Sequence, residues 1–240
     1  MKRSFLVFCL CTTIFAGTYG QENSEKINLS IDMASNFVWR GLANNTTPVV
    51  QPSVTFFPES RFSLGLWAST PFSTDWGDQP SEVDIFLNLQ IIQGLTLNVM
   101  DYFVYGSGWS DSYFNLKREE TGHVFDAQLI FASDNCPAKA MVSTIFAGND
   151  LNDKGKNNFS TYIELGYGKS GKHVDWEVFV GAVPMKSGFY GLEGADVINL
   201  GFNVTKSFEI TPTYSLPVSM KFTVNPAHKA AFLTAAVTLF

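Results

Sequence analysis

From residue 27 onward, apolar and polar side chains exchange places at every second position, and that period constrains the fold more than any other feature. Ile27, Leu29, Ile31 and Met33 alternate with Asn28, Ser30, Asp32 and Ala34, and Phe37 and Trp39 continue the apolar row. Val83, Ile85, Leu87, Leu89 and Ile91 alternate with Glu82, Asp84, Phe86, Asn88 and Gln90. Val174, Trp176, Val178, Val180 and Ala182 alternate with His173, Asp175, Glu177, Phe179 and Gly181. Successive side chains of a strand point to opposite faces, so each run reads as a strand with one apolar and one largely polar face. Helical periodicity is nearly absent. The spacing predicts twelve strands, over 27–40, 48–57, 61–70, 82–92, 94–105, 122–132, 139–147, 159–168, 173–183, 196–210, 212–224 and 229–240. Most reach the ~9–11 residues that a tilted strand needs to cross a hydrocarbon layer. Strands of soluble proteins are shorter, about 5–6 residues.

The connections sharpen this reading. They fall at 41–47, 58–60, 71–81, 93, 106–121, 133–138, 148–158, 169–172, 184–195, 211 and 225–228, and long and short alternate through almost the whole series. Short turns at one end and longer loops at the other are the asymmetry of bacterial outer-membrane barrels. Composition agrees: charged residues make up 16%, against about 25% in soluble domains. Aromatics reach 15%, with 22 Phe. In lipid every backbone N–H and C=O must be paired within the protein, so such a sheet has to close. Its apolar rows then meet lipid and its polar rows enclose water. The expectation is an all-β chain: a closed antiparallel transmembrane β-barrel of about twelve strands over 21–240, in the cell outer membrane, with both termini periplasmic.

Residues 1–20 read as a cleaved signal peptide. Lys2 and Arg3 precede an apolar run over 5–16, and Thr18-Tyr19-Gly20 sets small residues at −3 and −1, predicting cleavage before Gln21. Phe8 and Leu10 stand before Cys9 and Cys11, where lipid attachment needs a small residue. Cys136 is then the one cysteine of the mature chain and has no disulfide partner within it. The net charge is −6, and becomes −8 without Lys2 and Arg3 (14 basic against 22 acidic residues). An acidic chain without a basic patch argues against nucleic acid as a partner.

Several segments resemble the TorF-like porin family of Gram-negative outer-membrane β-barrel proteins. They are Asn36-Phe37-Val38-Trp39-Arg40-Gly41, Pro52-Ser53-Val54-Thr55-Phe56, Leu66-Trp67-Ala68-Ser69-Thr70-Pro71-Phe72, Tyr162-Ile163-Glu164-Leu165-Gly166-Tyr167, Leu216-Pro217-Val218, Val224-Asn225-Pro226 and Ala231-Phe232-Leu233, together with Phe240. The resemblance implies an outer-membrane barrel acting as a porin. It supplies neither an established substrate nor catalytic residues.

Function is therefore sought on the polar rows. Projected inward they carry Asp32, Arg40, Gln51, Arg61, Glu82, Asp84, Gln90, Asp126, Gln128, Glu164, Asp175, Glu177, Glu209 and Lys221. A Lys or Arg facing lipid at the bilayer midplane costs about 2–4 kcal/mol, which a wet lumen avoids. Eight acids against three bases in this set predict a passive channel for small solutes or ions, weakly cation-preferring. Acids and bases paired across a filled lumen, without a pore, are the alternative. Asp101 interrupts an apolar row, and a bulge that swings it inward and Tyr102 outward is expected there. Phe240, a terminal aromatic, is read as a signal to the barrel-assembly machinery.

Motifs for cofactor, metal or nucleotide binding are missing from the sequence, and the reading is of a non-enzyme without cofactor. One constellation can be written on paper for a barrel enzyme acting on lipids: His123 with Asp126 and either Ser110 or Ser112. A structural or adhesive barrel is the other rival, supported by the aromatic-rich loop at 106–114.

Overall fold

The computed structural model describes residues 26–72, 79–106 and 110–240, and the segment read as an export signal lies outside the described residues. The described residues form strands and no helix: β1 (Ile27–Ala34), β2 (Phe37–Trp39), β3 (Leu42–Asn45), β4 (Val49–Phe56), β5 (Phe62–Pro71), β6 (Ser81–Ile92), β7 (Leu95–Tyr105), β8 (His123–Ser133), β9 (Cys136–Gly148), β10 (Thr161–Ser170), β11 (Asp175–Val183), β12 (Asp196–Thr211), β13 (Tyr214–Asn225) and β14 (Ala230–Thr238). Twelve of them close into one antiparallel barrel, in which β1 pairs with β4 on one side and β14 on the other. Strands β2 and β3 pair only with each other. Eleven of the twelve expected strands match barrel strands to within three residues.

The alternation sorts the two faces. On β6, Glu82 and Asp84 are buried, whereas Val83, Ile85 and Leu87 keep 42, 40 and 39% exposure. On β10, Tyr162 and Glu164 are buried and Ile163 and Leu165 exposed. Apolar rows cover the outside and polar rows point inward, the inverse of a small soluble barrel, whose centre is apolar. Turns at 57–61, 93–94, 134–135, 171–174 and 212–213 form one end, the turn end. Connections at 35–48, 72–80, 106–122, 149–160, 184–195 and 226–229 form the other, the loop end.

The first expected strand, 27–40, is corrected. The wall strand stops at Ala34, Ser35 accepts a hydrogen bond from Ala235 N at 3.0 Å, and Asn36 Nδ2 donates to Leu233 O at 3.1 Å. Beyond that clamp to β14 the chain folds into the barrel. Phe37, Val38 and Trp39 are all buried, so Phe37 and Trp39 fill the interior instead of continuing the outer row. A period of two is equally compatible with a strand on the wall and one that passes the rim and turns inside. Arg40 (φ 47°) and Gly41 (φ 79°) make the two-residue hairpin loop, with the pair of positive φ values that a type I′ turn requires. A Cβ on Gly41 would lie 1.8 Å from Ile198 O on β12, so only glycine fits at the tip.

Strand β7 also departs from expectation. Its pairings with β6 and β8 run through Asp101 without a register shift there, leaving Tyr102 inward and Asp101 outward. No bulge is needed, because His123 on the outward row of β8 meets the carboxylate, Nδ1 to Oδ1 at 2.8 Å. Tyr113 folds over that pair, its carbonyl oxygen facing Nε2. Pro52, which has no N–H to give, coincides with a gap in the β4–β5 ladder, which pairs Val50 with Thr70 and resumes at Ser53 and Trp67.

Candidate functional site

The chemistry of the interior converges on the tip of the inserted hairpin. From β1 to β8 is five strands round the barrel one way and seven the other, so a group that ties them crosses the lumen. Arg40 is that group. It is 3% exposed, and its Nη2 lies 2.8 Å from Asp126 Oδ2 on β8. Its Nη1 donates to Tyr190 Oη at 2.7 Å. The guanidinium also sits 4.4 Å from the Trp39 ring centroid and 4.8 Å from that of Tyr162. Burial pushes the Tyr190 phenol well above its ordinary range, which keeps the hydroxyl neutral as it accepts from Arg40.

Asp126 is fully buried and accepts from Ser143 Oγ at 2.7 Å and Gln128 Nε2 at 3.2 Å. Gln128 donates in turn to Tyr102 Oη at 2.8 Å. Asn199 Nδ2 donates to Glu164 at 2.8 Å, and the Tyr162 hydroxyl donates to the same carboxylate. The backbone carbonyl of Gly41 accepts from Asn225 Nδ2 at 3.0 Å. Removing one member of a buried ion pair leaves an uncompensated charge, typically a loss of about 3–5 kcal/mol. The hairpin tip is therefore bonded to β8, β13 and the 184–195 loop, and it packs closely against β12.

The expected residues separate into groups. Asp32, Gln51, Glu82, Asp84, Asp126, Gln128, Glu164 and Glu177 are buried and point into the barrel. Asp32 accepts from Thr238 Oγ1 across the β1–β14 seam at 2.6 Å, and Gln51 donates to Ser69 Oγ at 3.3 Å. Lys221 is partly buried, its Nζ 4.7 Å from the Phe179 ring. Arg40 projects from the hairpin, not from a wall strand. Arg61 and Gln90 sit exposed at the turn end, where Arg61 Nε donates to Gln90 O at 2.8 Å. Asp175 is exposed and accepts from Gly171 N at 3.2 Å, and Glu209 is exposed beside the 212–213 turn. Phe240 is 53% exposed, and its backbone oxygen accepts from Ile31 N at 3.2 Å.

Three contributors escaped the sequence reading. Lys139 faces inward and pairs with Glu177 at 2.8 Å. Its row continues with Met141, Ser143 and Ile145, and two apolar residues on an inward row hide the polar signature. Tyr190 comes from a loop that carries no strand period. Asn199 lies beyond a register irregularity at Gly181 and Ala182 in the partner strand. On the described strands and the hairpin tip, the buried or partly buried inward charges are then Asp32, Glu82, Asp84, Asp126, Glu164 and Glu177 against Arg40, Lys139 and Lys221.

The paper constellation of a hydrolase does not assemble. His123 faces outward and Asp126 inward, across the barrel wall, and the two His123 ring nitrogens face Asp101 and the Tyr113 carbonyl. Ser110 Oγ accepts from Ser112 N at 3.2 Å. Among the described residues no group of three or more His, Cys, Asp and Glu side chains is placed to hold a metal ion. No protein-family model matches the chain, and no curated protein matches it.

Proposed function

We propose that the chain is an outer-membrane channel of the TorF-like porin kind, exported by a cleaved signal peptide, that lets small solutes or ions diffuse passively with a weak preference for cations. The observation that carries this reading is the inverted barrel. Leu29, Leu66, Val142, Leu165, Val178, Leu200, Met220 and Leu233 stand on its outer face at 44–57% exposure, while the buried carboxylates point in. In water this outside would be one continuous apolar patch, far beyond what soluble proteins expose. In a bilayer it is the matched surface, and the closed ring leaves no strand edge for lipid to meet. The turn end then faces the periplasm and the loop end the exterior. Outer-membrane lipid, the assembly machinery and the permeating solutes are the partners this implies.

Within that reading the hairpin is the constriction. It occupies the lumen at the loop end, and permeation runs past it. A second reading, a structural barrel without transport, draws on the same hairpin and its hydrogen-bonded anchors. Single-channel recording of the folded protein in planar bilayers separates the two. Discrete conductance steps are expected, and a folded protein that inserts and stays silent rejects the channel.

A further inference from the structure

Between the inserted hairpin and the wall at the loop end lies a cavity of about 420 Å³, within the ~300–1,000 Å³ range of small-molecule sites. Its lining is mostly apolar. Leu42 and Ala43 of the hairpin form one side, and Trp39, Tyr102 and Phe189 supply aromatic surface. Among the described lining residues Glu82 is the only charged one. It is 5% exposed, and Asn44 Nδ2 donates to its Oε2 at 3.1 Å, which fixes the orientation of the carboxylate. Asp84 follows on the same inward row, so the wall below carries a second acid. The cationic residue at the hairpin tip, Arg40, is committed to Asp126 and Tyr190 at 2.8 and 2.7 Å.

These features select a ligand class. An anion would be repelled by the carboxylate of Glu82, beside which the described lining places no basic residue. A small inorganic cation would exchange its hydration shell for a surface that offers few oxygens, where calcium, for example, takes about 6–8. A neutral apolar molecule would fill the space without using the carboxylate. We propose that this cavity binds a small organic cation with an aromatic or comparably apolar body, of the arylalkylammonium class, its ammonium at Glu82 and its body against Trp39, Tyr102 and Phe189. The assignment is independent of the channel reading, since binding can fail in a protein that conducts and succeed in one that does not.

Equilibrium dialysis of the folded protein in detergent micelles, with protein-free micelles as the partition blank, tests this with phenethylammonium, 2-phenylethanol and phenylpropanoate. Saturable binding of the ammonium is expected, with the isosteric alcohol and the carboxylate at least tenfold weaker. Glu82→Gln keeps an acceptor for Asn44 and removes the charge, and is expected to cut ammonium affinity about tenfold or more, the scale of a charged hydrogen bond. Ala43→Phe, at an exposed hairpin position, fills the cavity without altering charge and is expected to abolish binding. Circular dichroism verifies that each variant is folded. Equal binding of alcohol and ammonium, or binding unchanged in both variants, overturns the proposal, as does the absence of saturable binding in the folded wild type.

Discussion

Arg40 occupies left-handed backbone space at φ 47°, a region that costs a non-glycine residue on the order of 1–3 kcal/mol unless its surroundings fix it. The bonds to Asp126 and Tyr190, at 2.8 and 2.7 Å, are what fix it. A double-mutant cycle on Arg40→Met and Asp126→Leu, read by urea unfolding in micelles, is expected to make each single variant the less stable by about 3–5 kcal/mol. The double variant should recover much of that loss, since neither charge is then left without the other. Additive losses would show that the pair does not act as a unit. Gly41 gives a sharper steric test, because a Cβ there would meet Ile198 O at 1.8 Å whereas one at Gly188 meets nothing within 4 Å. Gly41→Ala is expected to destabilise clearly and Gly188→Ala to change little in the same unfolding assay. Equal effects would mean that the tip does not press on β12.

The hairpin is separable from the wall that encloses it. β1 and β4 already pair from Ile27 and Phe56 up to Ala34 and Val49, so the ladder on either side of the insertion is complete without β2 and β3. Replacing residues 37–46 by Asn-Gly, the pair favoured in two-residue turns, should therefore leave the barrel closed. It removes Trp39 and Arg40 from the lumen, and single-channel conductance is expected to rise severalfold while the strand signal in circular dichroism persists. Unchanged conductance in folded protein would place the constriction elsewhere. The segment around Tyr113, between β7 and β8, is held differently, by polar contacts on the outer side of the wall, where His123 joins Asp101 and the Tyr113 carbonyl.

At the scale of the whole molecule, closure and charge decide behaviour. All the long connections lie at one end, where 226–229 is the short one, so a protease-cleavable tag within 106–122 should be cut on intact cells. The same tag in the 171–174 turn should be cut only after the outer membrane is opened, and the opposite pattern would invert the barrel. On the described strands and the hairpin tip, six inward acids face three bases: Asp32, Glu82, Asp84, Asp126, Glu164 and Glu177 against Arg40, Lys139 and Lys221. Low-dielectric walls focus such an excess. Reversal potentials are expected to show cation preference that fades as salt shortens the screening length from about 10 Å at 0.1 M to about 3 Å at 1 M. Glu82→Gln with Asp84→Asn should weaken the preference and preserve conductance. Anion preference, or indifference to the double change, would show that these side chains do not border the path.

The sequence by itself determined the wall. A period of two assigns each residue of β6 or β10 to a face without knowledge of its neighbours, and loop lengths set the ends, because both are local properties of the chain. Only the tertiary structure decided what fills the barrel. Phe37 and Trp39 keep the period of β1 yet lie inside, since Ser35 and Asn36 are clamped to β14 some 200 residues away in sequence. Asp101 faces outward because His123, from the next strand, meets it there. Arg40 becomes the centre of the lumen because Asp126 and Tyr190 arrive from distant parts of the chain, 86 and 150 residues on. Alternation records which face a side chain takes on its own strand; whether that strand remains in the wall, and what meets it across the interior, depends on contacts that exist only once the ring has closed.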